Sequence, residues 1–158
     1  MPIQFAIIVA LAMSVAAIAY RPIPDAPGIG IAAAINMVQY HYDAMTWAKA
    51  NEANGFTGVV PDASITHTAT FTKAGPWTSY VSADGYIVTY PNPASTPLAA
   101  NQVIGLRNGL VTQFDNDPGV GVVTAGGAWQ SANSSLTLMP GFPAQPPSGT
   151  PSYVSPYQ

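Results

Sequence analysis

The sequence predicts an α+β protein: an N-terminal transmembrane helix, then a long amphipathic helix packed on a small antiparallel β-sheet, and a disordered Pro-rich C-terminus. Three observations predict it. Residues 3–20 hold no charged side chain and only two polar ones, Gln4 and Ser14. Apolar residues recur at helical spacing between positions 31 and 45, and beyond Gly55 the chain turns to short β-favouring runs punctuated by Gly, Pro and Asp. The expected limits are an anchor at 1–20, a Pro/Gly hinge at 21–30, an α+β domain at 31–138 and a tail at 139–158.

Composition excludes several function classes. Four basic and seven acidic side chains in 158 residues, 7% charged in all, are too sparse to track nucleic-acid phosphates or to form a polybasic membrane patch. Nucleic acid is not an expected partner. The chain has no Cys, which rules out a disulfide framework, a thiolate zinc site and a thiol nucleophile. The 16 Pro and 14 Gly, with many Thr, Ser, Asn and Gln, suit turns, β-structure and contact surfaces.

As a helix, the 18 residues at 3–20 rise about 27 Å, close to the roughly 30 Å hydrocarbon core of a bilayer. Membrane lipid is thus the first expected partner. Ala17-Ile18-Ala19 also resembles a signal-peptidase site, and cleavage after Ala19 would release a soluble protein. Retention is favoured because residues 1–4 carry no Lys or Arg, so a signal peptide's positive start is missing, and Tyr20-Arg21 suits an interfacial anchor. Charge orients the span poorly, since Arg21 is offset by Asp25. Ala6, Ala10 and Ser14 recur every four residues, the small-residue spacing that lets two membrane helices approach, although alanine is common throughout the stretch.

Pro22, Pro24, Pro27, Gly28 and Gly30 oppose a continuous helix, giving the hinge. Next, Ile31, Ile35, Val38, Tyr42 and Met45 line one face of a helix over residues 31–53, which Gly55 ends. Gly58-Val-Val-Pro61 is an edge-compatible strand, and Thr68-Ala-Thr-Phe-Thr72 alternates as a strand should. Residues 77–82 and 86–90 form a hairpin through Asp84-Gly85, a dipeptide suited to a type I′ turn. A short helix capped by Ser95 or Thr96 should run from Pro97 to Asn108, with Gly109 closing it. A last hairpin pairs residues 119–124 with 128–131 through Gly126-Gly127. From Pro140 onward, six prolines and no charge predict an unfolded or polyproline-like tail.

A hydrophobic N-terminal segment followed by a long helix over an antiparallel sheet is similar to the architecture of type IV pilins. The chain departs from a true pilin: it has no Gly-Phe leader-peptidase junction, no Glu near the start of the span, and prolines where pilins keep a continuous helix. The whole chain more closely resembles the PilM family encoded with type IVb thin pili. The matching pieces are the uncharged anchor, Met37-Val-Gln-Tyr-His-Tyr42, Gly58-Val-Val-Pro-Asp62, the hairpin at 77–90, and Val122-Val-Thr-Ala-Gly-Gly127. The resemblance implies a single-pass bacterial inner-membrane protein with a periplasmic C-terminal domain, acting as an accessory in pilus assembly alongside other assembly proteins. It carries over no catalytic residue and no cofactor.

No catalytic constellation emerges from the residues. His41 lies one position off the apolar stripe, so it is expected to face solvent, and neither it nor His67 has metal or triad spacing. Ser64, His67 and Asp62 could be written as a triad, but neighbours so close in sequence rarely assemble that geometry. Gly28-Ile-Gly30 lacks the third glycine and preceding strand of a dinucleotide fingerprint. Asp115 and Asp117 could offer oxygen ligands to calcium, yet without the glycine and distal glutamate of a calcium loop they predict a turn. The expected function is therefore non-catalytic protein contact. Trp77, Tyr80, Tyr86, Tyr90 and Trp129 are the candidate partner-binding residues, with at least half of them needed for the core. The alternative is a secreted or periplasmic β-rich binding or adhesive module freed by cleavage after Ala19.

Overall fold

Helix α1 (Pro27–Ala50) opens the described part of the chain, which comprises residues 27–52, 55–142 and 146–157 of a computed structural model. The expected span at 3–20 and the first part of the hinge, 21–26, lie outside the described residues. Among the described residues, no helix is long and apolar enough to cross a membrane. The helix starts four residues before the expected limit, because Pro27 suits a first turn, where its missing N–H is not needed.

The buried face of α1 is Gly30, Ala34, Met37, His41, Ala44 and Ala48, rather than the expected stripe. Of that stripe only Val38 is buried, while Ile35 is 47% and Tyr42 44% exposed. The cause is close packing: a face of Gly and Ala brings the helix axis nearer to its neighbours than a face of Ile would allow. Gly30 shows this most directly, since a Cβ there would enter the Gly105 backbone of the second helix.

After Gly55, at φ +62°, come β1 (Gly58–Val59) and a 3₁₀ turn at Asp62–Ser64. Residues 68–72 form a turn and loop instead of the expected strand. Side chains of α1 tie this strap down, so its backbone groups pair with the helix rather than with a sheet. The first hairpin is present as β2 (Trp77–Val81) and β3 (Tyr86–Pro91), with Val81 opposite Ile87. Its turn differs from the expected type I′: Gly85 has φ +80° but Asp84 does not have positive φ, and Gly85 N–H donates to Ser82 O at 3.3 Å. That is a type I turn closed by a left-handed glycine.

Helix α2 (Ala100–Gln113) begins three residues after Pro97, because Gln102 Oε1, rather than Ser95 or Thr96, accepts the Ala99 N–H at 2.9 Å. It also runs straight through Gly109, where a Cβ would meet the Gly30 carbonyl and the Ile31 amide. Gly109 is a contact between helices, not a stop. Leu106 and Leu110 turn toward the sheet and are fully buried, each contributing about 1.5–3 kcal/mol of apolar burial.

The second hairpin, β4 (Val120–Val123) with β5 (Trp129–Ser131), turns as expected, with Gly126 and Gly127 both at positive φ. Strand β6 (Thr137–Leu138) adds an edge. The largest correction is β7 (Pro151–Pro156), which the sequence reading placed in a disordered tail. It lies between β3 and β4, in an antiparallel sheet ordered β1-β2-β3-β7-β4-β5-β6. Its two prolines sit at the strand ends, where a missing N–H costs least, and Ser-Tyr-Val-Ser between them is β-favouring and uncharged. The domain thus extends at least to Tyr157, whose N–H donates to Gly85 O at 3.0 Å.

The sheet has a core on each face. Toward the helices lie Trp77, Val81, Ile87, Val120 and Tyr153 with the small residues of α1. On the other face Val88, Tyr90, Val123, Trp129 and Val154 gather under Phe142, whose ring lies edge-on to Tyr90 at 5.1 Å.

Candidate functional site

The polar groups with chemical potential converge on α1. His41, on its buried face, meets the sheet centre: Nδ1 lies 2.9 Å from Thr89 Oγ1 and Nε2 lies 2.6 Å from Ser155 Oγ. Thr89 Oγ1 is in turn 2.6 Å from Ser79 Oγ, and Ser155 donates to Met45 Sδ at 3.5 Å. The expectation of a solvent-facing His41 is corrected, since the side chain is completely buried. Burial alone lowers its pKa to about 3. The imidazole is therefore neutral at ordinary pH, with one ring nitrogen donating and the other accepting between Thr89 and Ser155. The chain of hydroxyls fixes α1 over β2, β3 and β7 and has no carboxylate to stabilise an imidazolium.

A second cluster straps residues 60–76 across α1. Asn36 Oδ1 accepts from Ala74 N–H at 2.9 Å and Trp77 Nε1 at 2.7 Å, while its Nδ2 donates to Thr72 O at 2.8 Å. Tyr40 donates to Asp62 Oδ1 at 2.8 Å, and Lys73 bonds the same oxygen at 2.7 Å while standing 4.6 Å from the Tyr40 ring centre. Partial burial pushes the Asp62 carboxyl up, but the Lys73 and Tyr40 hydrogen bonds and the Lys73 charge outweigh it and hold it below the usual carboxylate range. Burial, then the Asp62 bond, pushes the Tyr40 phenol well up.

His67 Nδ1 meets Asp43 Oδ2 at 2.8 Å. The written triad of Ser64, His67 and Asp62 is therefore not brought together: His67 pairs with a carboxylate from α1, Asp62 pairs with Tyr40 and Lys73, and Ser64 is exposed. Asp117 accepts from Gly119 N–H at 2.8 Å and from Tyr153 O–H at 2.6 Å, beside Asn116 at φ +64°. This is the turn the sequence suggested. Among the described residues, no group of three or more His, Cys, Asp or Glu is placed to hold a metal ion.

The five candidate contact aromatics divide. Trp77, Tyr90 and Trp129 are interior, while Tyr80 and Tyr86 are half-buried beside the second core. Among the described residues, Trp129 Nε1 is a buried donor without a hydrogen-bond partner. The exposed large apolar residues are others, chiefly Ile29, Ile35 and Tyr42 on α1 and Ile104 and Val111 on α2. Assigning Ile35 and Tyr42 to the core hid them from the sequence reading; the run of small residues one turn-face away was the available clue. Ala32, Ile35, Asn36 and Gln39 also line an open cleft of about 380 Å³ with Thr68, Thr70 and Phe71 of the strap.

The sequence model of the PilM family matches residues 5–154. This chain belongs to the PilM family. The match reaches from the uncharged N-terminal run to β7, so every element described above falls within it except the last residues of β7. PilM membership connects the chain with pilus assembly. No curated protein and no solved structure matches it.

Proposed function

We propose that this PilM-family chain is a single-pass component of the bacterial inner membrane, with its head in the periplasm, that serves type IV pilus assembly through protein contacts rather than chemistry. One observation carries the contact reading. His41, His67, Asp43, Asp62 and Asp117 are all engaged in bonds that hold the fold, while α1 presents Ile35 and the outer part of Tyr42, whose hydroxyl lies 3.3 Å from that of Tyr153, to solvent. The anchor rests on the uncharged run at 3–20, long enough to span. Its partners in this reading are other pilus-assembly and inner-membrane proteins.

A photo-crosslinking residue at position 35 or 42 of the full chain, in cells building pili, should recover a pilus-assembly protein. Crosslinks that form equally well from exposed positions all over the head would defeat the reading. The Ala17-Ile18-Ala19 sequence supports a second possibility, release as a binding or adhesive module. Sequencing the mature N-terminus decides it, because released chains start at Tyr20.

A further inference from the structure

We propose that the end of the head where α1 and α2 cross is a lipid-contacting surface, with Ile29 and Ile104 entering the bilayer interface; this rests on the anchored reading above. Ile29 and Ile104 are 72% and 55% exposed and adjoin Gly30 and Gly105, whose backbones touch. They therefore share one end of the helix layer. Only residues 21–26 separate that end from the apolar run, a contour of at most about 20 Å. So short a tether keeps the crossing within reach of the headgroups whenever the run is inserted.

The charge distribution fits the same occupant. Positions 26–42 carry no charge apart from the titratable but neutral His41, and positions 85–106 carry none. The first four turns of α1 and the first half of α2 thus offer a bilayer nothing that must be desolvated at high cost. The first charge on α2 is Arg107, one turn beyond Ile104, and its guanidinium can reach lipid phosphate while the isoleucine enters the apolar boundary. A second copy or another protein could also cover two isoleucines, but the tether delivers lipid to this end in every molecule.

The absence of Cys allows a direct test. Single-Cys variants Ile29→Cys, Ile104→Cys, Met139→Cys and Ala10→Cys of the full chain are labelled with an environment-sensitive fluorophore. They are then placed in vesicles of phosphatidylethanolamine and phosphatidylglycerol containing nitroxide lipid. Met139 is the comparator, being 68% exposed at the β6 edge, far in sequence from the crossing. Labels at 29, 104 and 10 should be quenched about twofold or more, and the label at 139 should not. Quenching at 10 with none at 29 and 104 keeps the anchor and overturns the proposal, as does a blue shift at 29 or 104 without quenching, the mark of a protein partner. Absence of quenching at 10 removes the anchored reading and this inference with it. The variants at 29, 104 and 139 must melt at the parent's temperature, which positions so exposed permit.

Discussion

The fold strongly controls the titration of the buried His41 imidazole. His41 is held near pKa 3 in the folded chain against 6.5 in the unfolded one, so between those values the unfolded state binds the extra proton. Stability is therefore complete above pH 6.5 and declines as pH falls toward 3. From pH 7.5 to 4.5 the loss should be about 2 to 3 kcal/mol, read as a drop in melting temperature that His41→Gln largely removes. His41→Leu should instead destabilise at neutral pH, by about 2 to 4 kcal/mol, because Thr89 and Ser155 lose their shared partner in the interior, and the deficit should shrink toward pH 4.5, where the parent loses stability and the leucine variant has no imidazole to titrate. A melting temperature that is flat across this pH range would contradict the buried, neutral assignment. None of this was legible in the sequence, where drawing the stripe through Ile, Val, Tyr and Met turned His41 outward. A helix face built from Gly and Ala carries little hydrophobic signal, and here that face decides the packing.

Where α1 meets α2, backbone approach replaces side-chain interlock, and the three glycines there are not equivalent. A Cβ on Gly105 would stand 3.9 Å from Gly30 Cα, an ordinary contact, so Gly105→Ala should be neutral or stabilising by up to about 1 kcal/mol through helix propensity. A Cβ on Gly109 or Gly30 would collide with backbone, so Gly109→Ala should destabilise by about 1 to 3 kcal/mol. Urea denaturation of the two variants checks the contrast; equal effects would mean that the helices do not cross as described. The two hairpins were legible because Asp-Gly and Gly-Gly between β-favouring runs are local signals. Gly109 was misread because a glycine late in a helix looks the same whether it ends the helix or admits a neighbour. The strap at 60–76 hid for a similar reason: alternation at Thr68 to Thr72 suits a strand, but Asn36, Tyr40 and Asp43 bind the segment to α1 instead.

Across the molecule, the last strand is the keystone of the sheet, since among the described residues β7 is the strand that joins the β1-β2-β3 half to the β4-β5-β6 half. Deleting residues 147–158 should abolish cooperative unfolding and cut the amount of soluble protein, whereas loss of an unfolded tail would leave the melt unchanged. The proline count concealed this, because composition weighs six prolines without noting that the two in β7 stand at its ends. The α+β class, the helix-on-sheet layering and the PilM family were legible from hydropathy, turn dipeptides and short motifs. Contacts that join distant segments, such as β3 with β7, leave no such local trace. The proposed hold of residues 3–20 on the membrane is tested most directly by alkaline carbonate extraction of native envelopes. The intact chain should stay in the lipid pellet, with its head digested only when protease reaches the periplasm; full-length protein in the carbonate supernatant would contradict the account.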